Sequence, residues 1–172
     1  MITPSAQDEL RCVLHALHTQ VAPAVHGTDV ESPVATLTHI LRHVSRRIGF
    51  EGQILSENIA ALRKLLPDLC ACLLSLDGVT GAPEQAASIE GALAAEYCDA
   101  NTYRSLEIMA SEARTLGEAL YGGLKVLQAV PAERRDEGYQ RMRDAIRRCV
   151  VWQIEQERRL IEPAFFGRGP RR

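Results

Sequence analysis

Residues 131–162 read PAERRDEGYQRMRDAIRRCVVWQIEQERRLIE, and the reading of this stretch decides the fold. Tyr139, Met142, Ile146, Cys149 and Val150 recur at helical spacing and form one apolar stripe. Pro131 precedes Glu133, Asp136 and Glu137, acids placed where the helix dipole favours negative charge, and Pro163 marks the far end. The pattern predicts a single long helix from Pro131 to Glu162. Gln153 and Glu157 continue the stripe where Leu or Ile would be expected, and burying them without partners would be costly. The other faces carry Arg134, Arg135, Arg141, Arg143, Arg147, Arg148, Arg158 and Arg159, and Trp152 lies off the stripe. Such a helix suits a spine with one covered face.

Working outward, the rest of the chain repeats this pattern. Thr3-Pro4 or Ser5 can cap a first helix whose inner face is Leu10, Val13, Leu14, Leu17 and Val21, ended or bent by Pro23. Ser32-Pro33 opens a second, with Val34, Leu37, Ile40, Leu41, Val44 and Ile48 inside and His39, Arg42, His43 and Arg46 opposite. Gly49 and Gly52 are expected to break or loosen the chain before a third helix, Gln53 to Leu76, with Pro67 as a kink or a new start. Asp77 to Pro83 is the strongest loop signal. Beyond it, Ile89, Leu93 and Tyr97 mark a helix from Glu84 to Cys98, followed by a seam at Leu106, Met109, Ala113, Leu116, Leu120, Leu124 and Leu127. That spacing asks for a partner helix along its length. Ser105, Ala110, Ala113, Gly117 and Gly122-Gly123 would permit close approach. The expected architecture is all-α: a single-domain antiparallel bundle of five to seven helices over residues 1–163, with a tail over 164–172 in which Phe165 or Phe166 docks.

Composition sets limits on function. At 172 residues the chain can bury roughly 70% of its unfolded surface. With 46% hydrophobic and 24% charged residues, it has the make-up of an ordinary globular protein. Charge is uneven: residues 1–48 balance at zero, 49–130 carry −6, and 131–172 carry +4. The acidic middle and basic end are expected to attract, within one chain or between two. The overall balance of −2 argues against a dedicated nucleic-acid binder. The longest apolar run, Leu69 to Leu74, is too short to span a membrane. Five irregularly spaced cysteines, with no leader pattern, predict reduced thiols and a cytoplasmic location.

Candidate chemistry is sparse. His39 and His43 lie at i and i+4, but no third or fourth ligand is near in sequence and the neighbouring Arg side chains repel a cation, so no metal is expected. The same face, His39, Arg42, His43 and Arg46, could instead hold a small anionic ligand such as a phosphate or carboxylate. Cys12, His15 and His18 read as surface residues. Cys70 and Cys72 sit roughly 160° apart on a helix and lack the redox spacing. Glu96, Gln153 and Glu157 lie on faces otherwise apolar and could meet an Arg, a subunit contact or a ligand pocket. Glu-x-x-His, the signature of helical di-iron sites, does not occur. No phosphate loop or nucleophile elbow occurs either. The sequence therefore points to no catalytic residue and no cofactor.

The run from Leu10 to Gly27 through Val21-Ala22-Pro23-Ala24-Val25, then Val34-Ala35 and Val44-Ser45-Arg46-Arg47, resembles a bacterial family of small helical proteins without assigned activity. Members are often encoded near acyl-CoA dehydrogenases and aminoglycoside-phosphotransferase-like kinases. The resemblance covers the first 65 residues or so, transfers no functional residue, and implies an accessory role in acyl-CoA or lipid metabolism. The combined expectation is a non-catalytic helical protein that forms a homo-oligomer or docks on a protein partner. The alternative is a small-molecule binder or enzyme with an inter-helix pocket.

Overall fold

The computed structural model describes residues 4–76, 78–98 and 103–161 and is all-α, with no strand among them. Its helices are α1 (Ala6–Ala16), a π-helical turn (Leu17–Val21), α2 (Ala22–Val25), α3 (Glu31–Leu74), α4 (Ala82–Ala94), α5 (Leu106–Ala129), a 3-10 turn (Ala132–Arg134) and α6 (Glu137–Arg158). They form two compact units. One takes the described residues up to Gly52 and those from Gln156 on; the other runs from Gln53 to Glu155. The expected tail, with Phe165 and Phe166, lies outside the described residues, as do Asp77 and 99–102.

The first unit begins at a capping box. Ser5 Oγ accepts the Asp8 N–H, and the Asp8 carboxylate accepts the Ser5 N–H, which satisfies donors that a helix start leaves open. The Ser5 hydroxyl, which donates to the Asp8 carboxylate at 2.6 Å, and the Ser5 N–H hold that carboxyl below its ordinary range. Pro23 does not end the helix where expected. The chain widens ahead of it into the π turn, in which the Ala22 N–H reaches back to the Leu17 carbonyl, and α2 carries Pro23 in its first turn. Widening relieves the clash that the proline ring imposes on an α-helical carbonyl behind it.

The helix expected to take Ser32 as its cap and Pro33 as its first residue starts two residues earlier, at Glu31, whose carboxylate accepts the Gly27 N–H at 2.7 Å and faces His26 Nδ1 at 3.0 Å. The break expected at Gly49 and Gly52 is absent: α3 continues to Leu74, through Pro67 as well. Gly49 lies near the end of the exposed Gln7 side chain, whose Nε2 would stand 2.7 Å from a Cβ there. Arg159 lies over the Phe50 ring, 5.2 Å from its centre. The described residues of this unit include no buried one. It is a helical assembly without a closed core.

The second unit has the core. Leu62, Leu66, Leu69 and Leu73 of α3 join Ala82, Ala86 and Ile89 of α4, Leu116, Leu120 and Leu127 of α5, and Tyr139, Met142 and Ile146 of α6. The stripe read in the last helix is thus buried at Tyr139, Met142 and Ile146 and half-buried at Cys149 and Val150. The helix itself is shorter than its pattern. A 3-10 turn follows Pro131, and α6 starts only where the Asp136 carboxylate accepts the Tyr139 N–H at 2.8 Å. The loop before α4 turns at Gly78 and Gly81, both with positive φ. Helix α4 ends at Ala94, four residues before the expected Cys98.

The α5 seam is also rotated. Its buried residues are Glu112, Leu116, Ala119, Leu120, Gly123 and Leu127, while Leu106 is exposed and Met109, Ala113 and Leu124 are half-buried. Gly123 permits the packing, because a Cβ there would lie 2.6 Å from Leu69 Cδ2. Gly117 meets nothing within 4 Å and plays no such part.

Candidate functional site

Three features could carry function: a buried charge cluster, an exposed apolar row and a cavity. The first was missed by sequence reasoning. Glu112 is 2% exposed, and its carboxylate accepts from Arg63 Nε at 2.7 Å and from the Arg104 guanidinium. Arg63 also donates to the Leu93 carbonyl at the end of α4, at 3.0 Å. One carboxylate therefore joins α3, α5 and the segment ahead of α5. Both guanidiniums are partly exposed, so water shares their solvation while the carboxylate depends on them. The arrangement is a satisfied structural network, with every Glu112 oxygen committed.

The residues singled out by sequence are scattered. Gln153 is half-buried, and its amide donates to Asn58 Oδ1, so its place on the stripe is explained by a partner on α3. Glu157 and Glu96, expected on covered faces, are exposed. For Glu96 the reason is that α4 has already ended, so the helical register that put it beside Leu93 no longer applies. Trp152, read as exposed, is half-buried. Arginines of α6 and the turn before it are partly engaged locally: Arg143 donates to the Tyr139 hydroxyl at 3.3 Å, and Arg135 donates to the Val130 carbonyl at 3.0 Å.

His39, Arg42, His43 and Arg46 lie on the N-terminal half of α3. His39 and Arg42 line a cavity of about 520 Å³, which His43 and Arg46 do not reach. Its other walls come from the π turn, α2 and the loop before α3, and bring in His18 and His26 beside Ala22, Pro23 and Val25. Among the described residues no three His, Cys, Asp or Glu side chains gather as a metal-holding group.

On the same half of α3 the apolar row stays open. Leu37 and Ile40 are each 46% exposed, Val44 38% and Ile48 47%. Solvent-facing large hydrophobics scattered singly are ordinary, but a continuous row along one helix is not.

Three of the cysteines are poorly placed as nucleophiles. Burial pushes the Cys70 thiol up, with the Glu90 carboxylate adding to it; burial also raises Cys72 and Cys149. These thiols keep their protons at neutral pH. Among the described residues no helix is long and apolar enough to cross a membrane. Comparison with family models, curated proteins and solved structures gave no match.

Proposed function

We propose that this is a non-catalytic protein that acts by pairing with a second copy of itself through the N-terminal half of α3. The observation that carries the reading is the open row at Leu37, Ile40, Val44 and Ile48 in a unit with no buried residue among those described. Val34, Leu37, Leu41, Val44 and Ile48 repeat at 3-4-3-4, the spacing of a coiled-coil seam. The row is close to symmetric about Leu41. An antiparallel copy would therefore set Val34 opposite Ile48 and Leu37 opposite Val44, apolar on apolar, as a two-fold interface requires. Residues 1–48 carry no net charge, so two such faces do not repel. The resemblance of this part of the chain to small helical proteins encoded beside acyl-CoA enzymes supports an accessory role of this kind. Five free cysteines support a reducing, cytoplasmic setting.

Light scattering and sedimentation over a concentration series test the reading. The wild-type chain is expected to dimerise, and Leu37→Glu/Val44→Glu to raise the dissociation constant by about a hundredfold or more while keeping its helical circular dichroism. A wild-type chain that stays monomeric throughout, or a variant that dimerises unchanged, would sink the proposal.

A further inference from the structure

We infer that the cavity between the π turn, α2 and the start of α3 binds a small amphiphilic organic anion, a carboxylate head on a short apolar body. The inference stands apart from the association reading and rests on different residues.

The head's position follows from the lining. His18 and Arg42 are side chains of that wall able to donate to an anion. Arg42 forms no ion pair or hydrogen bond with a described residue, so its guanidinium fork is available for a two-point contact with a carboxylate. The lining's single acid, Glu31, does not compete for it. One Glu31 oxygen takes the Gly27 N–H and the other faces His26, contacts that hold the carboxyl below its ordinary range and keep it ionised in place.

The rest of the wall sets the body. Ala22, Pro23, Val25 and Val34 are small and apolar, and about 520 Å³ falls within the range of small-molecule sites. A free inorganic anion would leave these surfaces unused. Thr38, the lining's hydroxyl, donates to the Val34 carbonyl at 2.8 Å and supplies no nucleophile, so the inference is of binding and not turnover.

The π turn is the second observation. Runs of i+5 bonding are rare and gather at functional sites. Here the turn carries His18 and immediately precedes the apolar wall. An uninterrupted α-helix would rotate His18 relative to Ala22 and Pro23, because each added residue turns the helix by about 100°.

Titration calorimetry of the full chain with hexanoate, inorganic phosphate and hexylamine makes the test. Expected is saturable hexanoate binding with no competition from hexylamine. Arg42→Ala, at an exposed position, should weaken it by about tenfold or more, and His18→Ala should weaken it too. No saturation by hexanoate up to about 10 mM, a range that covers very weak sites, would overturn the inference. So would unchanged affinity in Arg42→Ala, or displacement of hexanoate by phosphate at equal concentration, which would show that the apolar wall contributes nothing.

Discussion

Glu112 shows how far one side chain can organise its surroundings. At 2% exposed it is the buried charged residue among those described, and its two oxygens are taken by Arg63 and Arg104. Because the guanidiniums reach water and the carboxylate does not, the two halves of the network are not equivalent. Arg63→Ala leaves a buried carboxylate with one partner and also frees the Leu93 carbonyl; it should cost about 3 kcal/mol. Glu112→Leu removes the buried charge and lets both arginines turn to solvent, so it should cost less than Arg63→Ala. Adding Glu112→Leu to Arg63→Ala should then recover stability. Urea denaturation of the two single variants and the double variant reads this directly, and a double variant no better than Arg63→Ala would refute it. Nothing in the sequence marked Glu112. Its partners are 49 and 8 positions away, and a carboxylate next to Ala113 reads as the solvent side of a helix. Gln153 was legible because its neighbours on the stripe are apolar, yet its partner Asn58 was not.

At the scale of elements, helical spacing was the reliable signal and helix ends were not. Stripes in α3 beyond Gln53, in α4 and in α6 are buried largely where their periodicity put them, whereas the stripe from Val34 to Ile48, expected inside, is exposed or half-buried. Breaks were over-read. Each helix-interior Gly costs about 1 kcal/mol relative to Ala, less than the packing that Ile54, Ile59 and Leu62 supply just beyond Gly52, so α3 continues. Whether a glycine is a weakness or a fit depends on what its missing Cβ would meet. Helix α5 contains both cases. Gly123→Ala would drive a methyl to 2.6 Å from Leu69 and should destabilise by about 1–3 kcal/mol. Gly117→Ala enters open space and should stabilise by about 0.5–1 kcal/mol. Opposite signs in thermal melts of the two variants are the expected result; equal signs would mean that α5 packs otherwise.

For the molecule as a whole, burial is distributed unequally between the two units, and this has a dynamic consequence. Every buried residue among those described lies between Ile54 and Ile146, in the unit that runs from Gln53 to Glu155. Backbone amides are protected from exchange in proportion to the free energy of the opening that frees them, and that free energy comes mainly from buried apolar contacts. Amides of α3 beyond Ile59, of α5 around Leu116 to Leu127 and of α6 around Tyr139 to Ile146 should therefore exchange only through global unfolding. Amides of α1 and of α3 from Leu37 to Ile48 should exchange far faster in dilute solution, although both stretches are helical. Association adds a test that local stability alone cannot mimic. If a second copy covers the row at Leu37, Ile40, Val44 and Ile48, protection there should rise with protein concentration, while protection in the second unit stays fixed, because mass action stabilises only what binding covers. Hydrogen exchange read at two concentrations differing by about a hundredfold separates the cases, since that ratio shifts a binding equilibrium by close to 3 kcal/mol. Concentration-independent exchange along the row would remove the argument from the open face to a second copy, and the row would then be an apolar surface that the isolated chain tolerates.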